Sequence, residues 1–157
     1  MILSIFNDKE EGKEDVEKLC SEVKTTLQES LLHLAVVHYV EKQDDRYMRM
    51  LCKIHFPLYE EDQNGDIPAF ALSLCSTDAE FTNGLQVLLD GGYYINYSNS
   101  AGKDLIEFLS EFSITPDRVK FMKKQGLAPR NKKTVISNIE NNSELSDSKK
   151  EEIIGML

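Results

Sequence analysis

The stretch LLDGGYYINYSNSAGKDLIEFL, residues 88–109, contains a Leu-Leu pair, Gly residues and an Asn at intervals that occur again elsewhere in the chain. Its second half, NSAGKDLIEFL, aligns with DQNGDIPAFAL at residues 62–72. In that alignment Gly65 lies 37 residues before Gly102. A fixed period of this length is the signature of a chain built from stacked structural repeats.

Other segments follow the same period. TLQESLLHLA, residues 26–35, lies another 37 residues upstream of its counterpart in the second unit. YMRMLCKIHFPLY, residues 47–59, aligns with GLQVLLDGGYYIN, residues 84–96, at a spacing of 37, and RVKFMKKQGLAPR, residues 118–130, follows after 34. These matches indicate three units.

Each unit reads as a short helix, a loop, a longer helix and an extended excursion. LLHLAVVHYV, residues 31–40, is apolar nearly all round, as expected of a helix packed between neighbours. Gly91 and Gly92 suit a left-handed turn at the end of the longer helix. Gly65 and Gly102 lie where a tight turn must return the chain to the next unit.

The pattern resembles the ankyrin repeat. One set of residues fills the slots of its Thr-Pro-Leu-His-x-Ala motif: Ser30, Leu31, Leu32, His33 and Ala35. A second set fills its Leu-Leu, Gly and Asn slots: Leu88, Leu89, Gly92 and Asn96. Pro68 keeps the helix-opening proline in the second unit. The resemblance implies an all-α ankyrin solenoid with short hairpin fingers and helical caps, in which His33 stabilises a turn.

The chain departs from the family pattern at two points. Asp104, Leu105, Ile106 and Glu107 stand at the Thr-Pro-Leu-His slots of the third unit. About four extra residues occur near residues 38–46 and 75–83, relative to the family period of ~33, which predicts long loops between the helices.

The repeats divide the 157 residues into one domain with capped ends. We expect repeats at 28–61, 62–98 and 99–130. A stack of such units also needs caps with a polar outer face at its two ends. Residues 1–27 predict an N-terminal capping helix, with apolar positions along one stripe. Residues 131–157 predict a degenerate repeat or a C-terminal capping helix.

Composition narrows the function. The chain is 41% hydrophobic and 29% charged, which is ordinary for a folded protein, and its net charge is −9. Three cysteines without metal-ligand spacing suggest reduced thiols and a cytoplasmic location. No apolar run is long enough to predict a membrane span.

Few residues suggest chemistry. His33, His38 and His55 form no metal-binding or nucleophile motif. DQNGDI, residues 62–67, lacks the Gly and Glu that a calcium loop needs at its later positions, and GLAPRNKKT, residues 126–134, lacks the second Gly of a phosphate loop. We therefore expect no metal, no cofactor and no enzymatic activity, although a dispersed site in the insertions stays open.

The expected function is protein binding on the concave surface that the resemblance implies. Fingers and first helices supply that surface: His38, Glu60, Glu61, Gln63, Asn64, Asp66, Leu74, Ser98, Ser100, Ala101, Lys103, Glu111 and Phe112. Tyr93 and Tyr94 either pack in the core or join the contact surface. The acidic fingers predict a partner with a basic patch. A Lys- and Asn-rich chain with a degenerate ankyrin pattern could also be a bacterial or viral effector that acts in the host cytoplasm or nucleus.

An alternative site is a basic block between residues 113 and 133, where seven basic side chains accompany one acidic one. They are Arg118, Lys120, Lys123, Lys124, Arg130, Lys132 and Lys133. The block is either a solvated helix face or a patch for phosphate, nucleic acid or an acidic partner. Nucleic acid is disfavoured, because Phe121 is the one aromatic residue in the block.

Overall fold

A computed structural model describes residues 27–157, and every regular element in this range is a helix. The elements are α1 (Leu31–Lys42), α2 (Arg46–Lys53), a 3-10 helix (Pro68–Leu74), α3 (Asp78–Asp90), α4 (Leu105–Phe112), α5 (Pro116–Lys124), α6 (Lys132–Glu140) and α7 (Asp147–Met156). The predicted all-α class is confirmed for this range. The predicted N-terminal capping helix lies outside the described residues, apart from Leu27.

The helices form a two-layered stack. Four first-layer helices contact one another in chain order: α1, the 3-10 helix, α4 and α6. The second layer runs in the same order through α2, α3, α5 and α7. Buried apolar side chains from both layers form one core, which includes Leu32, Phe70, Phe81, Leu105 and Val119. Each pair of helices therefore buries its faces against the pairs before and after it.

The backbone turns left-handed after α2, α3 and α5, at His55 (φ 58°), Gly92 (φ 101°) and Gly126 (φ 89°). In each turn the next residue donates its N–H to the carbonyl five residues back, as in a Schellman motif. These bonds join Phe56 to Leu51, Tyr93 to Leu88 and Leu127 to Met122. The period of the sequence is thus also a period of the backbone.

We expect His55→Gly to stabilise the protein, because His55 holds the conformation that glycine holds in the other two turns. An L-residue in this region is strained by roughly 1–2 kcal/mol, and glycine loses about 0.5–1 kcal/mol of extra entropy on folding. The expected gain in the free energy of unfolding is about 0.5 kcal/mol, measured by urea denaturation. Lys53→Gly, at an exposed position of α2, should instead destabilise the protein. If both substitutions stabilise the protein, or if neither does, the interpretation of His55 as a strained residue is contradicted.

The loops before the 3-10 helix and before α4 share one turn. Asp62 donates its N–H to the Asp66 carbonyl, and Asn99 donates to Lys103 in the same way. Gly65 (φ 80°) and Gly102 (φ 78°) provide the positive φ that these turns require, so the predicted glycine turns are confirmed. The Asn99 Nδ2 donates to the Gly65 carbonyl at 2.7 Å and joins the two loops.

Side chains at the start of the first-layer helices connect successive units. The Ser30 hydroxyl accepts the His33 N–H to cap α1, and the His33 Nε2 lies 2.7 Å from the Asp66 carbonyl. In the third unit the Asp104 carboxylate caps α4 through the Glu107 N–H at 3.0 Å. The predicted structural role of His33 is confirmed, and acidic residues serve the corresponding positions of the degenerate unit.

The prediction of long loops between the helices was wrong, because the extra residues lengthen the helices instead. Residues 43–45 separate α1 from α2, and residues 75–77 separate the 3-10 helix from α3. The longer α1 includes Tyr39, which is buried and whose hydroxyl donates to the Glu80 carbonyl at 2.7 Å. The longer α3 begins with a Thr77 cap and with acidic residues in its first turn, which the helix dipole favours.

Residues 131–157 form the helix pair α6 and α7. Val135, Ile139 and Ile153 are fully buried against the units before them. This pair extends both layers beyond α4 and α5.

Candidate functional site

A groove of about 410 Å³ opens on the first-layer helices. Leu74 and Phe112 line it with 65% and 61% of their surfaces exposed. Phe70 and Phe108 stack at the back of the groove with ring centroids 4.5 Å apart, and Phe112 continues the row 4.9 Å from Phe108. Exposed apolar side chains gathered in one concavity mark a binding surface more often than single exposed residues do.

The charges along this groove have one sign. Glu29, Asp62 and Asp66 line it, whereas neither Lys nor Arg is among its lining residues. Burial, and then the neighbouring Asp62 carboxylate, raise the pKa of Asp66 above its ordinary value. Lys103 and His33 act in the opposite direction and more weakly. The groove therefore combines an apolar floor with a partly buried carboxylate.

Asp66 provides a prediction about pH. Because its pKa is raised on folding, the folded protein binds this proton more tightly than the unfolded chain does. The destabilisation by ionised Asp66 is present above the folded-state pKa and disappears below the unfolded-state pKa. We expect Asp66→Asn to add up to about 0.5 kcal/mol of stability at pH 7 and nothing at pH 3. Urea denaturation at both pH values measures this, and a wild type more stable than the variant at pH 7 would contradict it.

A second, polar hollow of about 470 Å³ adjoins the groove and shares Phe112 with it. Its polar side chains come from α4, α6 and the loop after α6: Ser110, Glu111, Asn138, Asn141, Asn142, Ser143 and Glu144. The Asn138 Nδ2 donates to the Ser110 hydroxyl at 3.0 Å. Neither Lys nor Arg lines this hollow either, although Lys103 beside it pairs with Glu111 at 2.8 Å.

Several predicted contact residues come together here. Asp66, Leu74 and Phe112 line the groove, and Glu111 and Phe112 line the polar hollow. His38 does not join them: it lies 3.4 Å from the Asp44 carboxylate and packs edge-on against Tyr47. His38 is therefore outside this groove, with its side chain 30% exposed, and its role as a partner contact stays a prediction.

The remaining predicted finger residues lie beside the groove and partly bind one another. Glu61 accepts hydrogen bonds from the N–H and the hydroxyl of Ser100, and the Lys103 Nζ lies 2.8 Å from Glu111. The Ser98 hydroxyl faces Arg130 at 3.4 Å. Gln63, Asn64, Ser100 and Ala101 are exposed, and Glu60 is half-buried. Glu61 thus holds two loops together in addition to carrying charge.

The two predicted tyrosines have different fates. Tyr93 is 4% exposed, and burial raises the pKa of its hydroxyl well above the ordinary value, so of the two readings core packing holds. Tyr94 is 59% exposed, and its N–H donates to the Tyr59 hydroxyl at 2.9 Å. Tyr59 stacks on Tyr97 at 3.8 Å.

Arg118 does not belong to a surface patch, and its prediction as part of one was wrong. It is 3% exposed, and its guanidinium binds the Asp78 carboxylate at 2.9 Å and the Cys75 carbonyl at 2.8 Å. Its plane lies over the Phe81 ring, 4.9 Å from the centroid. The structure uses this charge to join the second and third units.

The other basic residues are exposed but divided between the layers. Lys120, Lys123 and Lys124 lie on α5 in the second layer. Arg130 lies on the following loop, and Lys132 and Lys133 begin α6 in the first layer. The block is therefore less continuous in space than in sequence.

The groove also contains residues that the sequence analysis missed: Glu29, Val37, Phe70, Ala71, Phe108 and Ser113. The 37-residue period could have found some of them, since Val37 precedes Leu74 by one period and Ala71 precedes Phe108 by one. The asparagines of the polar hollow carried no such signal, because residues 131–157 fall outside the regular repeats.

Metal binding and thiol chemistry can be assessed for the described residues. Within residues 27–157 no group of three His, Cys, Asp or Glu side chains is placed to hold a metal ion. Cys52 and Cys75 are free and buried, and burial raises the pKa of both thiols, that of Cys75 to about 11. Neither thiol is prepared to act as a nucleophile near neutral pH. No helix in this range has the length and apolarity required to cross a bilayer.

No family model, curated protein or solved structure matches this chain. The groove and the polar hollow must therefore be interpreted from their own chemistry.

Proposed function

We propose that this chain is an ankyrin-type repeat protein that binds a partner protein through the groove on its first-layer helices. One observation carries the proposal: Leu74 and Phe112 are both more than half exposed in a concavity lined by carboxylates. The repeated turns, the 37-residue period and the cap of Ser30 on α1 support the ankyrin-type architecture. In this reading the loops ending at Gly65 and Gly102 are its hairpin fingers.

Burial of the two exposed apolar side chains by a partner would be favourable in free energy. Burying a large apolar side chain is worth about 1.5–3 kcal/mol, so covering Leu74 and Phe112 together can supply a substantial share of a protein–protein affinity. Few interface residues carry most of the energy of such complexes, and large apolar side chains near the centre are typical of them. The groove has this arrangement, with Phe108 supporting Phe112 from behind.

The partner that this surface fits is basic. Asp62 and Asp66 line the groove beside Glu29, and Lys103, which lies near Asp66, is paired with Glu111, so the groove keeps an excess of negative charge that would attract a cationic patch during approach and in the complex. Association should therefore weaken as salt rises toward 1 M, where the Debye length falls to about 3 Å. A reducing intracellular compartment suits the free thiols Cys52 and Cys75.

The test compares two variants in a pull-down from cell lysate and in affinity measurements on whatever is captured. Leu74→Ser with Phe112→Ser removes both exposed anchors, while Tyr94→Ser removes an aromatic side chain of similar exposure outside the groove. We expect the double variant to bind about 30-fold more weakly, corresponding to ~2 kcal/mol, and Tyr94→Ser to bind as the wild type does.

Charge reversal gives a second comparison. Asp66→Lys changes a groove carboxylate, whereas Glu151→Lys makes the same charge change on exposed α7. Binding lost in the first and kept in the second supports the proposal. If the Leu74→Ser/Phe112→Ser double variant and Asp66→Lys bind as tightly as their controls Tyr94→Ser and Glu151→Lys, the proposal is overturned. Loss confined to Lys120→Glu, Lys123→Glu and Lys124→Glu would move the function to the basic residues of α5, as in the phosphate or nucleic-acid alternative.

A further inference from the structure

The groove and the polar hollow meet at Phe112, and their chemistry differs on its two sides. On one side lie Leu74, Phe70 and Phe108. On the other side lie Glu111 and the amides of α6 and its following loop. An occupant that contacts both must change from apolar to polar over the distance between two neighbouring first-layer helices.

The apolar side accepts one large side chain. Phe70, Phe108 and Phe112 form a row of rings spaced 4.5 and 4.9 Å apart, a separation suited to further aromatic or aliphatic packing. Leu74, on the same 3-10 helix as Phe70, also lines the groove, with its side chain largely uncovered. A Phe or Leu of a partner would complete this cluster.

The polar side is suited to a peptide backbone. A side-chain amide carries both donors and an acceptor. The Asn142 Oδ1 accepts the Glu144 N–H at 2.8 Å and the Asn141 Nδ2 lies 3.5 Å from the Ser137 hydroxyl, so the Asn142 Nδ2 and the Asn141 Oδ1 are the atoms that can pair with the C=O and N–H groups of an extended chain. A helical partner offers no such groups, because its backbone bonds are internal. Glu144 adds negative charge to the same hollow, whereas Glu111 is already paired with Lys103 at 2.8 Å.

The spacing follows from helix packing. Neighbouring helices lie about 8–10 Å apart, and an extended chain advances about 3.3 Å per residue. A side chain in the groove and one in the polar hollow are therefore separated by about three residues of an extended segment.

We propose, on the basis of the protein-binding function above, that the groove and the polar hollow form one site for an extended cationic segment of a partner protein. A large apolar side chain of that segment packs against Leu74 and Phe112. A Lys or Arg about three residues away enters the hollow beside Glu144, and Asn141 and Asn142 bind the backbone next to it.

The test uses the full 157-residue chain and synthetic peptides labelled with fluorescein, with fluorescence anisotropy as the readout. The probe is a Gly-Ser peptide that carries one Phe three residues before a Lys-Lys pair. Matched peptides replace Phe by Ala, replace the lysines by Glu, or place the pair seven residues after Phe, the spacing of one helix face. We expect each replacement to weaken binding about 10-fold, and the longer spacing to weaken it as well.

Protein variants locate the two ends of the probe. Leu74→Ser should remove the preference for Phe over Ala. Asn141→Ala with Asn142→Ala should reduce the affinity of every peptide that carries lysines, while Asn83→Ala on exposed α3 should leave it unchanged. An equal affinity for the three-residue and seven-residue spacings, or a loss of binding with Asn83→Ala equal to that of the double variant, overturns the inference.

The outcome separates this inference from the proposal on which it rests. If no peptide binds while the lysate partner still depends on Leu74 and Phe112, the extended cationic segment is wrong and the binding function stands. If the lysate partner is indifferent to Leu74 and Phe112, the binding function at this groove fails, whatever the peptides do.

Discussion

Replacing Arg118 by Ala should lower the free energy of unfolding by about 2–3 kcal/mol, since it leaves a buried acceptor without its donor and removes a buried side chain, while the carboxylate of Asp78, 36% exposed, regains water. The guanidinium binds Asp78 and the carbonyls of Cys75 and Ser113, all within 3.1 Å. Without it, the buried Cys75 carbonyl and the partly buried Ser113 carbonyl lose a partner, and the space above the Phe81 ring is left empty. Urea denaturation followed by circular dichroism measures the change.

Two further variants keep this prediction testable if Arg118→Ala fails to fold. Arg118→Lys retains the charge but offers one nitrogen in place of the planar fork, so it should recover less than half of the loss. Lys120→Ala, two residues further on the same helix but exposed, should change stability by no more than about 0.5 kcal/mol. A variant Arg118→Ala within that margin of the wild type would show that the buried network contributes nothing net.

Replacing Asp104 by Ala should destabilise the protein by about 2–3 kcal/mol, since it removes a helix cap and a buried acceptor together. Asp104 is fully buried, and its two carboxylate oxygens accept the N–H of Glu107 at 3.0 Å and that of Arg130 at 2.9 Å. One side chain thus starts α4 and holds the loop that leads to α6.

Ser146→Ala is the matched control for Asp104→Ala. Ser146 is also a cap, for the N–H of Lys149, but it is exposed and makes a single such contact. Its loss should amount to about 1 kcal/mol. The same denaturation experiment measures both, and equal losses would mean that the Arg130 contact and the burial of Asp104 have no effect.

The sequence predicted the features that depend on local backbone chemistry. Gly65 and Gly102 occupy turns with positive φ, His33 lies in the first turn of α1, and Pro68 begins the 3-10 helix. The helical class followed from the same period. These predictions succeeded because a turn or a cap is determined by residues within a few positions of it.

The predictions that failed concerned whether a side chain is buried and which way it points. Arg118 and Lys120 look alike in a basic block, yet one is buried among carbonyls and the other is in water. Tyr93 and Tyr94 are adjacent and face opposite environments. The extra residues near Tyr39 read as a loop, because their place in the helix is secured by a bond to distant Glu80. In each case the deciding contact lies in another unit.

The layered stack has a consequence for the order in which the protein comes apart. Every substantial helix contact lies within a unit or between adjacent units, so opening can start at an end and spread inward one pair at a time. An occupant touching α1, the 3-10 helix and α4 at once would connect units that otherwise open in sequence. Amide hydrogen exchange should then slow together across residues 31–112. A ligand bound at one surface would thus make three adjacent helix pairs open as a single cooperative unit.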